Sequence, residues 1–305
     1  MRTMKIVVVG SITEDVIKTP SSKLNRFIGG VPVYAASVAT ALNEWIGVVS
    51  KVGLDFPVKN LRLLKKFNAD LAGLKISGNT SMRFENRYDS TGVRTQRLLS
   101  SSEPISIKDL PSQYYNTPII HLGPVFNEID VELLSQVRGH FKIISLDGQG
   151  FTRTVAEQGQ RIVLEPWLHY EDYLPKIDIL KVDDTELKSI TSANTLQEGV
   201  EKVLETGLKL LVITRAHKGA IIYQGKKRYD IPAFPTKVAD ATGAGDTFIT
   251  AFLFEYFRTK DSYNSGLFAA ATASFKISTA GPIPRYNRSD VLARLREFPL
   301  IQEKK

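Results

Sequence analysis

The residues with the clearest chemical content are Asp240-Ala241-Thr242-Gly243-Ala244-Gly245-Asp246-Thr247-Phe248. They run into Ile249, Ala251, Phe252, Leu253, Phe254, Tyr256 and Phe257, a helix pattern that is apolar nearly all round and therefore belongs to a buried helix. Its first turn, Gly243-Ala244-Gly245, would aim free backbone N–H groups out of a buried helix end. Such an end carries about half a positive charge and is an anion site. Glycine lets the backbone approach phosphate oxygens where a side chain would intervene. Asp246 lies in the same turn and has two readings. It is either a carboxylate placed favourably on the helix dipole, or a base beside bound phosphate that takes the proton of an attacking hydroxyl. Asp240 and Thr242 before the glycines, and the buried helix after them, favour the base. A dinucleotide fingerprint is excluded, because Phe248 stands where a third small residue is required and the motif does not follow the first strand of a βαβ unit. A Walker A loop is excluded because no Gly-Lys-Ser/Thr follows.

Short apolar runs alternate with helical stretches along the chain, which predicts βαβ units around a parallel sheet. Strands are expected at residues 5–9, 46–52, 119–122, 142–146, 177–182 and 209–214, each apolar enough for burial on both faces. Helices are expected at residues 32–43, 58–67, 131–138, 184–190, 196–206, 243–257, 265–278 and 288–298. Residues 80–100 break this rhythm. Met82, Phe84, Asn86 and Tyr88 alternate with polar neighbours, a turn falls at Asp89-Ser90-Thr91-Gly92, and the pattern resumes to Leu99, as in a β-hairpin. The hairpin is either a lid over a site or an addition to the edge of the main sheet.

Of 305 residues, 43% are hydrophobic and 24% charged, an ordinary globular balance with ample material for a core. No apolar run approaches the ~20 residues of a membrane-spanning helix, and the four-residue run Ile6-Val7-Val8-Val9, ending in Gly10-Ser11, reads as a strand and not a signal peptide. The chain has no cysteine, which excludes disulfides, thiolate chemistry and cysteine-held metals, and suits a cytoplasmic protein. A net charge of +8 raises the possibility of nucleic acid. The lysines and arginines are scattered, however, where a nucleic-acid binder gathers them on one face, so a basic surface serving an anionic substrate is the expectation.

The Asp-Ala-Thr-Gly-Ala-Gly-Asp-Thr-Phe segment, at this C-terminal position, resembles the second signature of the ribokinase-like (PfkB) carbohydrate kinases. The resemblance implies a three-layer α/β/α domain spanning residues 1–305, with a central mostly parallel sheet and a small β-sheet lid from about residues 11–28 and 77–100. It implies ATP and Mg2+ as cofactors, with room for a monovalent cation. Gly243, Ala244 and Gly245 would be the anion hole and Asp246 the catalytic base. Thr242 would join the nucleotide side, and a small polyol would be the acceptor. Gly10-Ser11-Ile12-Thr13-Glu14-Asp15 looks like the family's first strand and turn, which makes Asp15 a substrate ligand, although Thr13 stands where asparagine is common. Gly29-Gly30 before Pro32 matches the diglycine beside the sugar, and equally suits a plain strand-to-helix turn. Asp183-Asp184-Thr185-Glu186 occupies the place of an Asn-x-x-Glu motif. Asp183 and Glu186 would then act on the metal through water, while Asp183 also reads as a helix N-cap. Thr214-Arg215-Ala216-His217-Lys218-Gly219 resembles a nucleotide loop, with Thr214 and Gly219 matching and Ala216 replacing its middle glycine.

Asp147-Gly148-Gln149-Gly150-Phe151-Thr152-Arg153 and Glu85-Asn86-Arg87-Tyr88 resemble a small archaeal and bacterial subgroup that includes myo-inositol kinases. Myo-inositol or another cyclitol is the implied acceptor, Asn86 and Arg87 are candidate substrate contacts, and Arg153 is a candidate phosphate ligand. A nucleoside kinase on the same fold is the alternative, with Phe84 and Tyr88 available to stack a base. A homodimer through the lid is compatible with the family, and neither nucleic acid nor membrane is expected as a partner.

Overall fold

Continuous Val, Ile and Leu runs suit strands covered on both faces. In the computed structural model, which describes residues 3–19, 22–88, 94–157 and 160–302, they build one nine-stranded sheet. In chain order the strands are β1 (Ile6–Val9), β2 (Thr13–Thr19), β3 (Ser22–Gly29), β4 (Ile46–Val52), β5 (Ala69–Ile76), β6 (Met82–Tyr88), β7 (Arg94–Ser100) and β8 (Ile119–Leu122). They continue with β9 (Ile143–Asp147), β10 (Arg153–Val155), β11 (Ile162–Leu164), β12 (Ile179–Asp183), β13 (Leu210–Thr214), β14 (Ala220–Gln224) and β15 (Lys227–Ile231). The helices are α1 (Val31–Ala41), α2 (Val58–Leu64), α3 (Leu133–Gln136), α4 (Gln149–Thr152), α5 (Tyr170–Tyr173), α6 (Asp184–Thr191), α7 (Leu196–Glu205), α8 (Ala244–Thr259), α9 (Ser262–Ile277) and α10 (Arg288–Gln302).

The large sheet has the order β15-β14-β13-β12-β9-β8-β1-β4-β5. It is parallel from β13 to β5, and β14 and β15 extend it antiparallel. Alternate residues of each strand enter opposite cores. Ile6, Val8, Ile119 and Val212 pack with α1, α8 and α9, whereas Val7, Val9, Ile120 and Leu211 pack with α3, α6 and α7. The three-layer α/β/α architecture follows directly from that alternation. Among the described residues no helix is long and apolar enough to cross a membrane.

A second sheet, β3-β2-β6-β7, stands apart from the first. The hairpin expected at residues 80–99 supplies β6 and β7, and its turn lies outside the described residues. β2 runs parallel to β6, with Asp15 opposite Phe84 and Ile17 opposite Asn86. The hairpin is therefore not an addition to the edge of the main sheet. A two-stranded ribbon, β10-β11, reaches this second sheet: Leu98 N–H donates to the Gln160 carbonyl at 2.8 Å, and Arg97 bridges Arg161.

Candidate functional site

The polar residues of interest gather where β9, β12 and β13 end and α8 begins. Gly243 precedes α8 with φ +75°, and a Cβ there would lie 2.4 Å from the Tyr34 ring, so both backbone and space require glycine. Asp240 holds the approach to this turn. Its carboxylate accepts from Thr242 N–H at 2.9 Å, from Gly281 N–H at 3.1 Å and from Lys276 Nζ at 3.0 Å. These hydrogen bonds hold the Asp240 carboxyl below its usual pKa range, against the effect of burial. Within the turn, Ala244 N–H donates to the Ala241 carbonyl at 3.2 Å and Thr247 N–H to Gly243 at 2.9 Å. The N–H groups of Gly245 and Asp246 have no hydrogen bond among the described residues. Gly243 N–H likewise has no hydrogen bond among the described residues, so of the expected trio Gly243 and Gly245 keep free donors and Ala244 does not.

Asp246 sits at this turn with its carboxyl pKa pushed up to about 6, by burial first and by the charge of Asp147 second; Lys181, Arg153 and Lys276 oppose the rise. Lys181 on β12 and Asp147 on β9 are register partners, both buried, and their ammonium and carboxylate are 2.9 Å apart. The Lys181 ammonium also lies against the turn, 3.1 Å from where a Cβ on Gly245 would stand. His121 and Ser145 continue the polar column below them, Nδ1 to Oγ 3.1 Å, and burial lowers the His121 pKa to about 4. Arg153, at the start of β10, donates to the Val125 carbonyl at 3.2 Å and shares a cleft of about 220 Å³ with Asp183, Glu186, Thr95 and Gln96.

Asp183 and Glu186 form a capping box at the start of α6. Asp183 Oδ1 accepts from Thr185 and Glu186 N–H at 2.8 Å each, and Glu186 Oε2 accepts from Asp183 N–H at 2.8 Å. The helix-cap reading of Asp183 is correct, and it leaves Asp183 Oδ2 and Glu186 Oε1 without a hydrogen bond among the described residues. Burial raises the Glu186 pKa to about 7. Further along the same edge, Thr214 ends β13 and Arg215 N–H donates to the Gly219 carbonyl at 2.7 Å, closing the loop. Ala216, in the middle-glycine position, is held at φ +49°.

On the other side of α8 stand Asp15, Gly29 and Gly30. A Cβ on Gly29 would lie 2.6 Å from Asp15 Oδ2, and one on Gly30, at φ +90°, would lie 2.1 Å from the Ser11 carbonyl oxygen. The diglycine is therefore both a strand-to-helix turn and the wall beside Asp15. Thr13 Oγ1 donates to Asp15 Oδ1 at 3.3 Å. Asn86 shares the Asp15 face through the Ile17 register, is 5% exposed, and its buried side-chain oxygen has no hydrogen-bond partner among the described residues. Arg87 does not join it. Strand alternation turns Arg87 to the opposite face, where it pairs with Glu85, which Lys18 and Arg97 also surround. The charged face of β6 looks away from Asp15, and the face expected to be polar carries Met82 and Phe84 in the core.

Three residues of this site were not anticipated. His121 is the single polar residue of β8 and Lys181 interrupts the apolar run of β12 ahead of Asp183, and those interruptions are the signal that marks them. Tyr34 had no such signal. Its ring fills the space beside Gly243, and burial together with the charges of Asp15, Asp240 and Asp246 pushes its pKa upward, so it stands between the two aspartates of interest.

Residues 151–287 match the family model described as pfkB family carbohydrate kinase. The chain is 27% identical over 261 residues to a cytidine kinase from Thermococcus kodakarensis, covering 84% of this chain and 89% of that protein. Among solved structures it is similar to a pyrophosphate-dependent kinase in the ribokinase family in a sulfate complex, with TM-score 0.83, 27% identity, and 94% and 99% of the two chains covered. A further solved structure, of a pyrophosphate-dependent kinase in the ribokinase family complexed with a pyrophosphate analog and myo-inositol, gives TM-score 0.81, 26% identity and the same coverage. The fold and site thus define a phosphotransferase with a hydroxyl acceptor. In fold the chain is ribokinase-like, its residues 151–287 resemble the pfkB carbohydrate kinases, and its likeness is to sugar and nucleoside kinases.

Proposed function

We propose that this kinase moves the γ-phosphoryl of ATP to a hydroxyl of a cyclitol or sugar, with myo-inositol the first candidate. The observation that carries the reading is Asp246, a carboxylate with a pKa near 6 beside two unengaged N–H groups. Asp246 accepts the proton of the acceptor hydroxyl as its oxygen attacks the phosphorus. The N–H groups of Gly245 and Asp246 bind the charge that develops on the transferring group. Asp15 and Asn86 bind acceptor hydroxyls, the uncompensated Asn86 oxygen being a group that a polyol O–H satisfies. The β3-β2-β6-β7 sheet is the lid over that acceptor. Thr214, Gly219 and Thr242 line the nucleotide side, and Arg153 binds donor phosphate.

Magnesium fits as a water-mediated partner. Among the described residues no three His, Cys, Asp or Glu side chains are grouped to ligate one ion. Asp183 and Glu186 each keep one oxygen clear of the capping box, which suits an ion that retains most of its waters. When bound, it neutralises donor phosphate charge.

A nucleoside acceptor is the second reading. Phe84 is 2% exposed in the core and offers no stacking surface, whereas Phe27, opposite Asp15 on β3, is 37% exposed and does. The cytidine kinase relative supports the same reading. The test is a product-release screen with Mg·ATP, repeated with Mg·pyrophosphate, against inositols, hexoses, pentoses, keto-deoxy sugar acids and nucleosides. Turnover of a cyclitol or sugar at least tenfold above any nucleoside is expected, in terms of kcat/KM, a margin of about 1.4 kcal/mol. A nucleoside preferred by that margin overturns the first reading.

A further inference from the structure

Lys181 has no assigned task, and its surroundings are unusual. It lies in β12 between residues of an apolar core, where an unpaired ammonium would be excluded. Asp147 pairs with it at 2.9 Å from the adjacent strand, and Glu186 and Asp246 add negative charge around it. The ammonium points to the C-terminal edge of the sheet and lies against Gly245, where any side chain at that position would meet it at 3.1 Å. Gly245 therefore admits Lys181 to the first turn of α8, next to N–H groups that have no hydrogen bond among the described residues. Asp147 is the one residue, among those described, that accepts a hydrogen bond from Lys181; an ammonium has three to give.

We propose that Lys181 is a catalytic residue that binds the transferring phosphoryl group, and that Asp147 is its positioning residue. This rests on the kinase reading above. In the step, the acceptor oxygen forms its bond to phosphorus as its proton passes to Asp246. The bond from phosphorus to the bridging oxygen breaks, and its electron pair leaves with the donor's remaining phosphate or diphosphate. Lys181 stays protonated throughout and offsets charge on the non-bridging oxygens, as a fixed cation in a water-poor site does effectively. The alternative is that the pair merely holds β9 to β12.

Lys181→Met and the double variant Lys181→Met/Asp147→Asn separate the two, because the double variant leaves no buried unpaired charge and restores folding. Turnover with the acceptor found in the screen is expected to fall ~10²–10³-fold in both variants, the size seen for one preorganised donor to a developing anion. Acceptor KM should stay within about threefold, and Lys181→Arg should recover part of the loss. Calorimetry with Mg·pyrophosphate should show affinity about tenfold weaker in the double variant, near 1.4 kcal/mol. A folded double variant with more than a tenth of wild-type turnover, or with unchanged pyrophosphate affinity, overturns the proposal. Asp246→Asn, measured alongside, reports on the parent reading alone. Activity retained there while the Lys181 variants lose theirs removes the base assignment and leaves Lys181 in place.

Discussion

A carboxyl group that titrates near 6 is ionised at neutral pH yet still basic enough to take a proton, and Asp246 is tuned to that value by burial and by Asp147. Only the ionised form can accept the acceptor's proton, so activity must fall as pH drops through this pKa. We predict that acceptor kcat/KM, at saturating donor, loses about tenfold per pH unit below ~6 and is flat just above it. A profile with no acid limb between about pH 5 and 7 contradicts the assignment. Asn86 permits a second expectation at this scale. Its buried oxygen has no partner among the described residues, so Asn86→Ala should cost little stability while shifting preference among polyols by about 1–3 kcal/mol in kcat/KM. Unchanged acceptor kinetics would take Asn86 out of the site. Sequence pointed to Asp246 through the Gly-Ala-Gly-Asp turn before a buried helix, and to Asp15 and Asn86 through the family resemblance and the expected lid. It misplaced Arg87, since the face of β6 that meets the core is set by which strand flanks it, and β2 lies far away in sequence.

The elements show the same division. All six expected strands and the helices around them were readable, because a doubly covered parallel sheet imposes long apolar runs. β5, the edge strand β15 and the β10–β11 ribbon were not, as strands partly exposed to solvent carry polar residues and lose the pattern. Ala216 is where the nucleotide loop departs from its glycine, and the backbone there adopts φ +49° regardless. An L-residue in that region costs about 1–2 kcal/mol, while glycine returns roughly 0.5–1 kcal/mol through the unfolded chain. The first effect exceeds the second. Ala216→Gly should therefore raise stability by about 0.5–1 kcal/mol in urea unfolding at unchanged m-value. A destabilised variant would mean that the loop does not hold this conformation.

Across the whole molecule, the proposed acceptor residues Asp15, Gly29 and Gly30 stand on β2 and β3 and at the start of α1, and the proposed donor residues Asp183, Glu186 and Thr214 on β12, α6 and β13. Tyr34 of α1 packs on Gly243, just ahead of α8, so the two sides meet at the turn that carries Asp246. Sequence spacing could not reveal that junction, because it joins residues about two hundred positions apart through the order β12-β9-β8-β1. In the proposed mechanism both sides act on Asp246, and Asp246→Asn tests this most directly, since the amide keeps the shape and loses the proton acceptor. Donor binding should survive, as backbone N–H groups and Lys181 supply it, and stability should change by no more than about 1 kcal/mol, the size of a charge–dipole effect at a helix start. Turnover with the preferred acceptor should fall ~10²–10⁴-fold. A folded, donor-binding Asp246→Asn enzyme that keeps more than about a tenth of wild-type turnover, outside the range for loss of a general base, would contradict the account.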